Sequence, residues 1–157
     1  MAAKIVLTRE PSSTKFTDRV LLLSSEPVPV SRSSKEEKPD TTNAVFACKV
    51  SAFKLKTSSC NTYSQVLSKS HAFFSFSGGH FYLKDTGSSN GSFINNFRLS
   101  KPGQSSLDSQ LFSQDVVRFG SEVSDKNKMV KEKCIVGKIR IYLPSGEECG
   151  ERPANNR

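Results

Sequence analysis

Hydrophobic positions fall into short runs that recur along the whole chain. "KIVLT" (4–8), "RVLLL" (19–23), "VFACKV" (45–50), "HAFFSF" (71–76) and "HFYLK" (80–84) come first. "GSFIN" (91–95), "DVVRFG" (115–120) and "CIVGKIRIYL" (134–143) follow. Turn formers separate them, as in "SGG" (77–79), "TGSSNG" (86–91) and "KPGQSS" (101–106). Within "KIRIYL", Ile139, Ile141 and Leu143 alternate with Lys138, Arg140 and Tyr142, the period of a strand with one buried face. No segment sustains a helical period. Short, regularly spaced strands with Gly, Ser and Asn turns predict an all-β sandwich or barrel.

The polar stretches set the limits of that core. At 157 residues the chain suits one domain of ordinary size. Its 35% hydrophobic and 24% charged content is low for a fully packed globule, so part of it is expected to be loop. "SSKEEKPDTTN" (33–43) and "SAFKLKTSSCNTYSQ" (51–65) read as such loops, and 146–157 as a disordered tail. No apolar stretch approaches the roughly 20 residues that span a bilayer. The opening "MAAKIVLTREP" is broken by Arg9 and Glu10, too early for a signal peptide. A chain without a membrane segment, in the cytoplasm, is the expectation.

Composition narrows the chemistry. Cys48, Cys60, Cys134 and Cys149 show no metal-ligand spacing, and His71 and His80 do not join them. Neither a metal nor a cofactor is predicted, and Cys48 and Cys134 read as small core residues. A formal charge of +8 favours an anionic partner. The densest basic run, "KNKMVKEK" (126–133), reads as a solvated loop. There is no Trp, and lysine outnumbers arginine, so nucleic acid is not the expected partner.

"KDTGSSNG" (84–91) carries the sharpest ambiguity. Asp-Thr-Gly-Ser is the string around an aspartic-protease carboxylate, which would make Asp85 catalytic in a symmetric dimer. Such a site needs two carboxylates sharing a proton. "IVG" (135–137) lies at a suitable distance for that reading. Against it, Lys84 occupies the place of a buried apolar residue, and "GSFINNFRLSKPGQSS" lacks a Gly-rich flap. The protease stays a minor alternative.

The competing reading is anion capture. A phosphate needs an arginine fork, small hydroxyls and a lysine, with an asparagine to fix the peptide backbone. The chain presents these in order: Arg32 in "VSRS", Ser68, Lys69 and His71 in "LSKSHAFF", then Ser89, Asn90 and Gly91 in "SSNGSFINN". In that order, between β-type runs, the motifs resemble a forkhead-associated (FHA) domain over roughly residues 3 to 145.

The resemblance implies an FHA-type β-sandwich of two mainly antiparallel sheets with its site on the loops at one end. It also implies an adaptor without catalysis that docks phosphothreonine-containing proteins, including Hippo-type kinases and striatin-type phosphatase and kinase assemblies. Arg32 would hold the phosphate, Ser68 and Lys69 would complete its cradle, and Ser89 and Asn90 would meet the peptide. His71 and Gly91 would support the loops, and Asp85 would satisfy turn N–H groups. A degenerate FHA fold that packs without reading phosphate is the alternative. The family joins "VFACKV" to "LSKSHA" almost directly, so residues 51–66 are expected to be a loop insertion within a domain spanning 1–145.

Overall fold

Alternation decides which way each strand faces, and so how the layers stack. The computed structural model describes residues 2–13, 16–33, 42–47, 67, 70–120, 123–124, 131–132 and 134–153. In β1 (Ala3–Arg9), Ala3, Ile5 and Leu7 are buried and the residues between them are not. In β2 (Arg19–Leu23), Arg19, Leu21 and Leu23 point inward while Val20 and Leu22 point out.

The remaining strands are β3 (Val28–Ser33), β4 (Ala44–Ala47), β5 (Ala72–Ser77), β6 (His80–Asp85) and β7 (Ser92–Ile94). They continue with β8 (Phe97–Arg98), β9 (Ser109–Leu111), β10 (Val116–Phe119), β11 (Val123–Ser124), β12 (Lys131–Glu132) and β13 (Ile135–Tyr142). A six-stranded sheet runs β2-β1-β13-β10-β7-β8, and a five-stranded sheet runs β4-β3-β5-β6-β9. β11 and β12 form a separate hairpin.

The inner faces of the two sheets share one core, in which Phe46, Phe74, Phe81 and Phe119 are fully buried. Phe74 and Phe119 meet edge to face at 5.9 Å, linking the sheets directly. Each such ring contributes roughly 1.5–3 kcal/mol by burial, as an upper bound. The all-β sandwich expected from the pattern is the fold.

Pairing directions bring a set of loops to one end. β3 is antiparallel to β5, and β5 to β6, so the end of β3, the start of β5 and the end of β6 coincide. β4 pairs parallel to β3, so its C-terminus reaches the same end. In the other sheet, Phe119 opposite Ser92 brings the start of β7 there as well. The Gly120 N–H donates to the Gly91 carbonyl at 2.8 Å and ties the two loops together.

The structure corrects the tail. Residues 146–153 fold back onto the sandwich: the Cys149 N–H donates to the Ile141 carbonyl at 2.8 Å, and Glu148 and Glu151 form bridges with Tyr142 and Ser113. Polar contacts hold this segment, which is why it shows no hydrophobic period. Lys131 and Glu132, expected in a loop, pair in β12. Cys134 is buried, in a small cluster with Val136 on the outer face of the six-stranded sheet, against which Val116 packs. Cys48 and the whole of 51–66 lie outside the described residues.

Candidate functional site

The loop between β6 and β7 is organised by a buried carboxylate. Asp85, 1% exposed, ends β6 with its side chain under the turn. Its Oδ1 accepts from the backbone N–H groups of Gly87 and Ser88, both at 2.8 Å. Its Oδ2 accepts from the Ser88 and Ser92 hydroxyls. Ser88 Oγ in turn accepts from the Gly91 N–H at 3.0 Å. Burial alone would raise the Asp85 pKa, but the serine hydroxyls and turn N–H groups outweigh it and hold the carboxyl below its ordinary value. With both oxygens committed to the turn, this carboxylate is not placed to share a proton across a water. The expectation that it satisfies turn N–H groups is met.

A histidine braces the same loop from behind. His71 is fully buried, and its Nε2 lies 2.7 Å from the Gly91 carbonyl. A carbonyl only accepts, so Nε2 carries the proton. Burial lowers the His71 pKa, against the raising effects of the Gly91 carbonyl and Asp85. Its backbone is shared between strands as well: the His71 N–H donates to Val30 O at 3.0 Å, and Thr86 N–H to His71 O at 3.1 Å.

Arg98 closes the outer side of the loop. Its Nε donates to the Ser100 carbonyl at 2.7 Å, and its NH2 group to the Ser89 carbonyl at 3.3 Å. The loop thereby presents Ser89 exposed and Asn90 half-buried. Gly91 lies beneath them at φ +94°, a conformation L side chains rarely adopt.

Arg32 lies near the end of β3, opposite Phe46 of β4 and half-buried, at the same end of the sandwich as this loop. Ser68 and Lys69 lie outside the described residues. The chain is anchored on either side of them. Leu67 is fully buried, and the Ser70 carbonyl accepts from the Thr86 hydroxyl at 3.2 Å. Sequence reasoning missed Ser88, Ser92, Ser106 and Arg98 as positioning groups. The serine-rich string "TGSSNGS" is the one signal that could have found the first two. Ser106 Oγ accepts from the Asp85 N–H at 2.9 Å across a separation no local motif reveals.

Loops braced in this way at one end of a sandwich offer a rigid surface on which side chains hold fixed positions. The chain carries a forkhead-associated domain, a non-catalytic class of module that generally binds phosphothreonine peptides. The FHA domain profile matches residues 52–120, which include every proposed site residue except Arg32 and begin inside the run expected to be an insertion. The chain is similar to the sarcolemmal membrane-associated protein of Homo sapiens, at 36% identity over 149 residues, covering 94% of this chain and 16% of that protein. The Oryctolagus cuniculus protein of the same name matches at 36% over 149 residues, covering 94% and 17%. The chain thus spans about a sixth of the length of these relatives. A solved structure, the kinase-interacting FHA domain of an Arabidopsis kinase-associated protein phosphatase, aligns over 87% of this chain and 96% of that one. Its identity is 16% and its TM-score 0.48. Among the described residues, no helix is long and apolar enough to cross a membrane.

Proposed function

We propose that this chain is a phosphothreonine-peptide-binding adaptor module. One observation carries the reading: the buried Asp85–Ser88–Gly91–His71 network fixes the loop bearing Ser89 and Asn90 at the end of the sandwich where β3 delivers Arg32. A preorganised loop with an arginine at the same end of the sandwich suits an anionic, extended ligand. In this proposal Arg32 forks the phosphate, Ser68 and Lys69 complete its cradle, and Ser89 and Asn90 hold the peptide. His71 and Gly91 support them. The proposed setting is cytoplasmic docking of phosphorylated kinases or scaffold proteins. Hippo-type kinases and striatin-type phosphatase and kinase assemblies are its candidate partners, as the resemblance read from the sequence implies.

The test is titration of a phosphothreonine peptide library with unphosphorylated controls, on wild type and Arg32→Ala. Losing a charge-assisted fork weakens binding at least about tenfold, with melting unchanged. A change under about threefold removes Arg32 from the site. Equal affinity for phosphorylated and unphosphorylated peptides favours a scaffold that does not read phosphate.

A further inference from the structure

The outer face of the six-stranded sheet carries more cations than anions. Its rows follow from the strand register. Leu22, Lys4 and Tyr142 stand side by side, and next to them Val20, Val6 and Arg140. Thr8, Lys138 and Val116 form a third row. A fourth runs Val136, Arg118, Phe93 and Arg98. Every charged side chain these rows contribute is a cation. The acidic neighbours are Glu148, which pairs with Arg140 at 2.9 Å, Glu10 just past β1, whose N–H donates to the Val136 carbonyl, and exposed Asp18 just before β2, whose carboxylate accepts from the Arg9 N–H.

Cations lie over rings at both ends of the face. Arg118 lies 3.9 Å over the Phe93 ring with Arg98 at 5.8 Å from it, and Lys4 lies 4.7 Å over Tyr142. Arg118 Nε is buried with no hydrogen-bond acceptor among the described residues. On edge strand β2, Val20 and Leu22 are 39% and 62% exposed, and Leu22 stands directly opposite Lys4. Lys4 beside this exposed aliphatic pair, with Lys138 two rows along the same face on β13, forms a complementary surface for a ligand carrying both carboxylates and apolar side chains.

We infer that this face is a second docking surface, separate from the loop site, and that its occupant is an acidic, partly apolar segment of a partner protein. A second copy of the chain is disfavoured because it would bring like charges together. A lipid surface is a poorer match, because Asp18, Glu10 and Glu148 interrupt the cations that an anionic headgroup layer would need as a continuous patch.

Isotope-labelled protein, the whole 157-residue chain, is titrated by NMR with an unphosphorylated peptide of Glu and Leu residues. Amide shifts are expected in β1, β2 and β13, not in the 86–91 loop, and to weaken as salt rises. Lys4→Glu with Lys138→Glu reverses two cations outside the loop site. Affinity for this peptide is expected to fall at least about tenfold, with phosphothreonine-peptide affinity within about twofold. If the double reversal fails to fold, Lys4→Gln with Lys138→Gln is read in the same way. Shifts confined to the loop site, or less than about a twofold change in the variants, overturn the inference. So does binding to phosphatidylserine vesicles without binding to the peptide, which assigns the face to lipid. Concentration-dependent dimerisation abolished by the reversal assigns it to a second copy.

Discussion

At Gly91 a Cβ would stand 2.9 Å from both Arg98 Nε and Phe93 Cε1, on a backbone already at φ +94°. Arg98 is held by two carbonyls and Phe93 is 8% exposed, so neither yields freely. Gly91→Ala is expected to cost about 1–3 kcal/mol, read as a fall in melting temperature of about 3–10 °C. Phosphopeptide affinity should fall with it, because Ser89 and Asn90 ride on the same turn. Two titrating groups under that turn give the domain a pH dependence of one sign. His71 and Asp85 both have folded pKa values below their ordinary ones, near 6.5 and 3.8, so the unfolded chain takes up protons first as pH falls. The stability each contributes is full above its ordinary value and is lost toward its folded one. Melting temperature should hold above about pH 6.5, decline below it through His71, and decline again below about pH 3.8 through Asp85. His71→Gln should flatten the first decline while leaving the second. A melting profile that rises from pH 7 to pH 5 would contradict this assignment.

The returning C-terminal segment shows how an element can be held without a hydrophobic pattern. Arg152 grips Asp115 through Nε at 3.2 Å and its NH2 group at 2.9 Å, and lies 4.6 Å over the Phe112 ring. Asp115 is 2% exposed and also accepts from Asn95 and the Phe112 N–H, so it joins the tail, the β7–β8 turn and the start of β10. Arg152→Met leaves that carboxylate short of its cation. A loss of about 1–2 kcal/mol is expected in denaturant melts, the partial exposure of Arg152 keeping it below a fully buried pair. A neutral result would show that the segment rests on the sandwich without stabilising it. Sequence legibility follows the same physics. β1, β2, β6 and β13 can be read because inward and outward residues alternate over several positions. β3 escapes because Pro29 and the polar Ser31–Arg32–Ser33 leave only Val28 and Val30 as its apolar residues. β8 and β9, of two and three residues, are too short to show any period. Ser89, Asn90, Gly91 and His71 are legible as motif residues. Arg98 and Ser106 are not, because folding alone brings them to the loop.

Across the whole molecule, the connection from β4 to β5 is the feature on which sequence and topology bear most directly. The sheet order puts β3 between these strands, so the connection must cross two strand spacings, about 10 Å, at the end that holds the proposed site. With 51–66 deleted and Val50 joined to Leu67, Cys48–Val50 and Leu67–His71 remain to make that crossing. At about 3.3 Å per extended residue they reach with slack. Leu67, fully buried, keeps its place in the core. Cutting the connection to about a third of its length lowers the closure entropy by about 1 kcal/mol. The removed run carries Lys54 and Lys56 and no acidic residue, so its loss slightly weakens attraction for an anionic peptide. That effect falls mainly on the association rate, whereas a shorter tether on the Ser68–Lys69 segment improves preorganisation and acts on affinity. The deletion is therefore expected to raise the melting temperature by about 2–4 °C and phosphothreonine-peptide affinity by about twofold or more. Calorimetry and peptide titration of the two chains at the same salt measure both. A fall in either would place 51–66 within the working domain, in line with the FHA profile match that begins at residue 52.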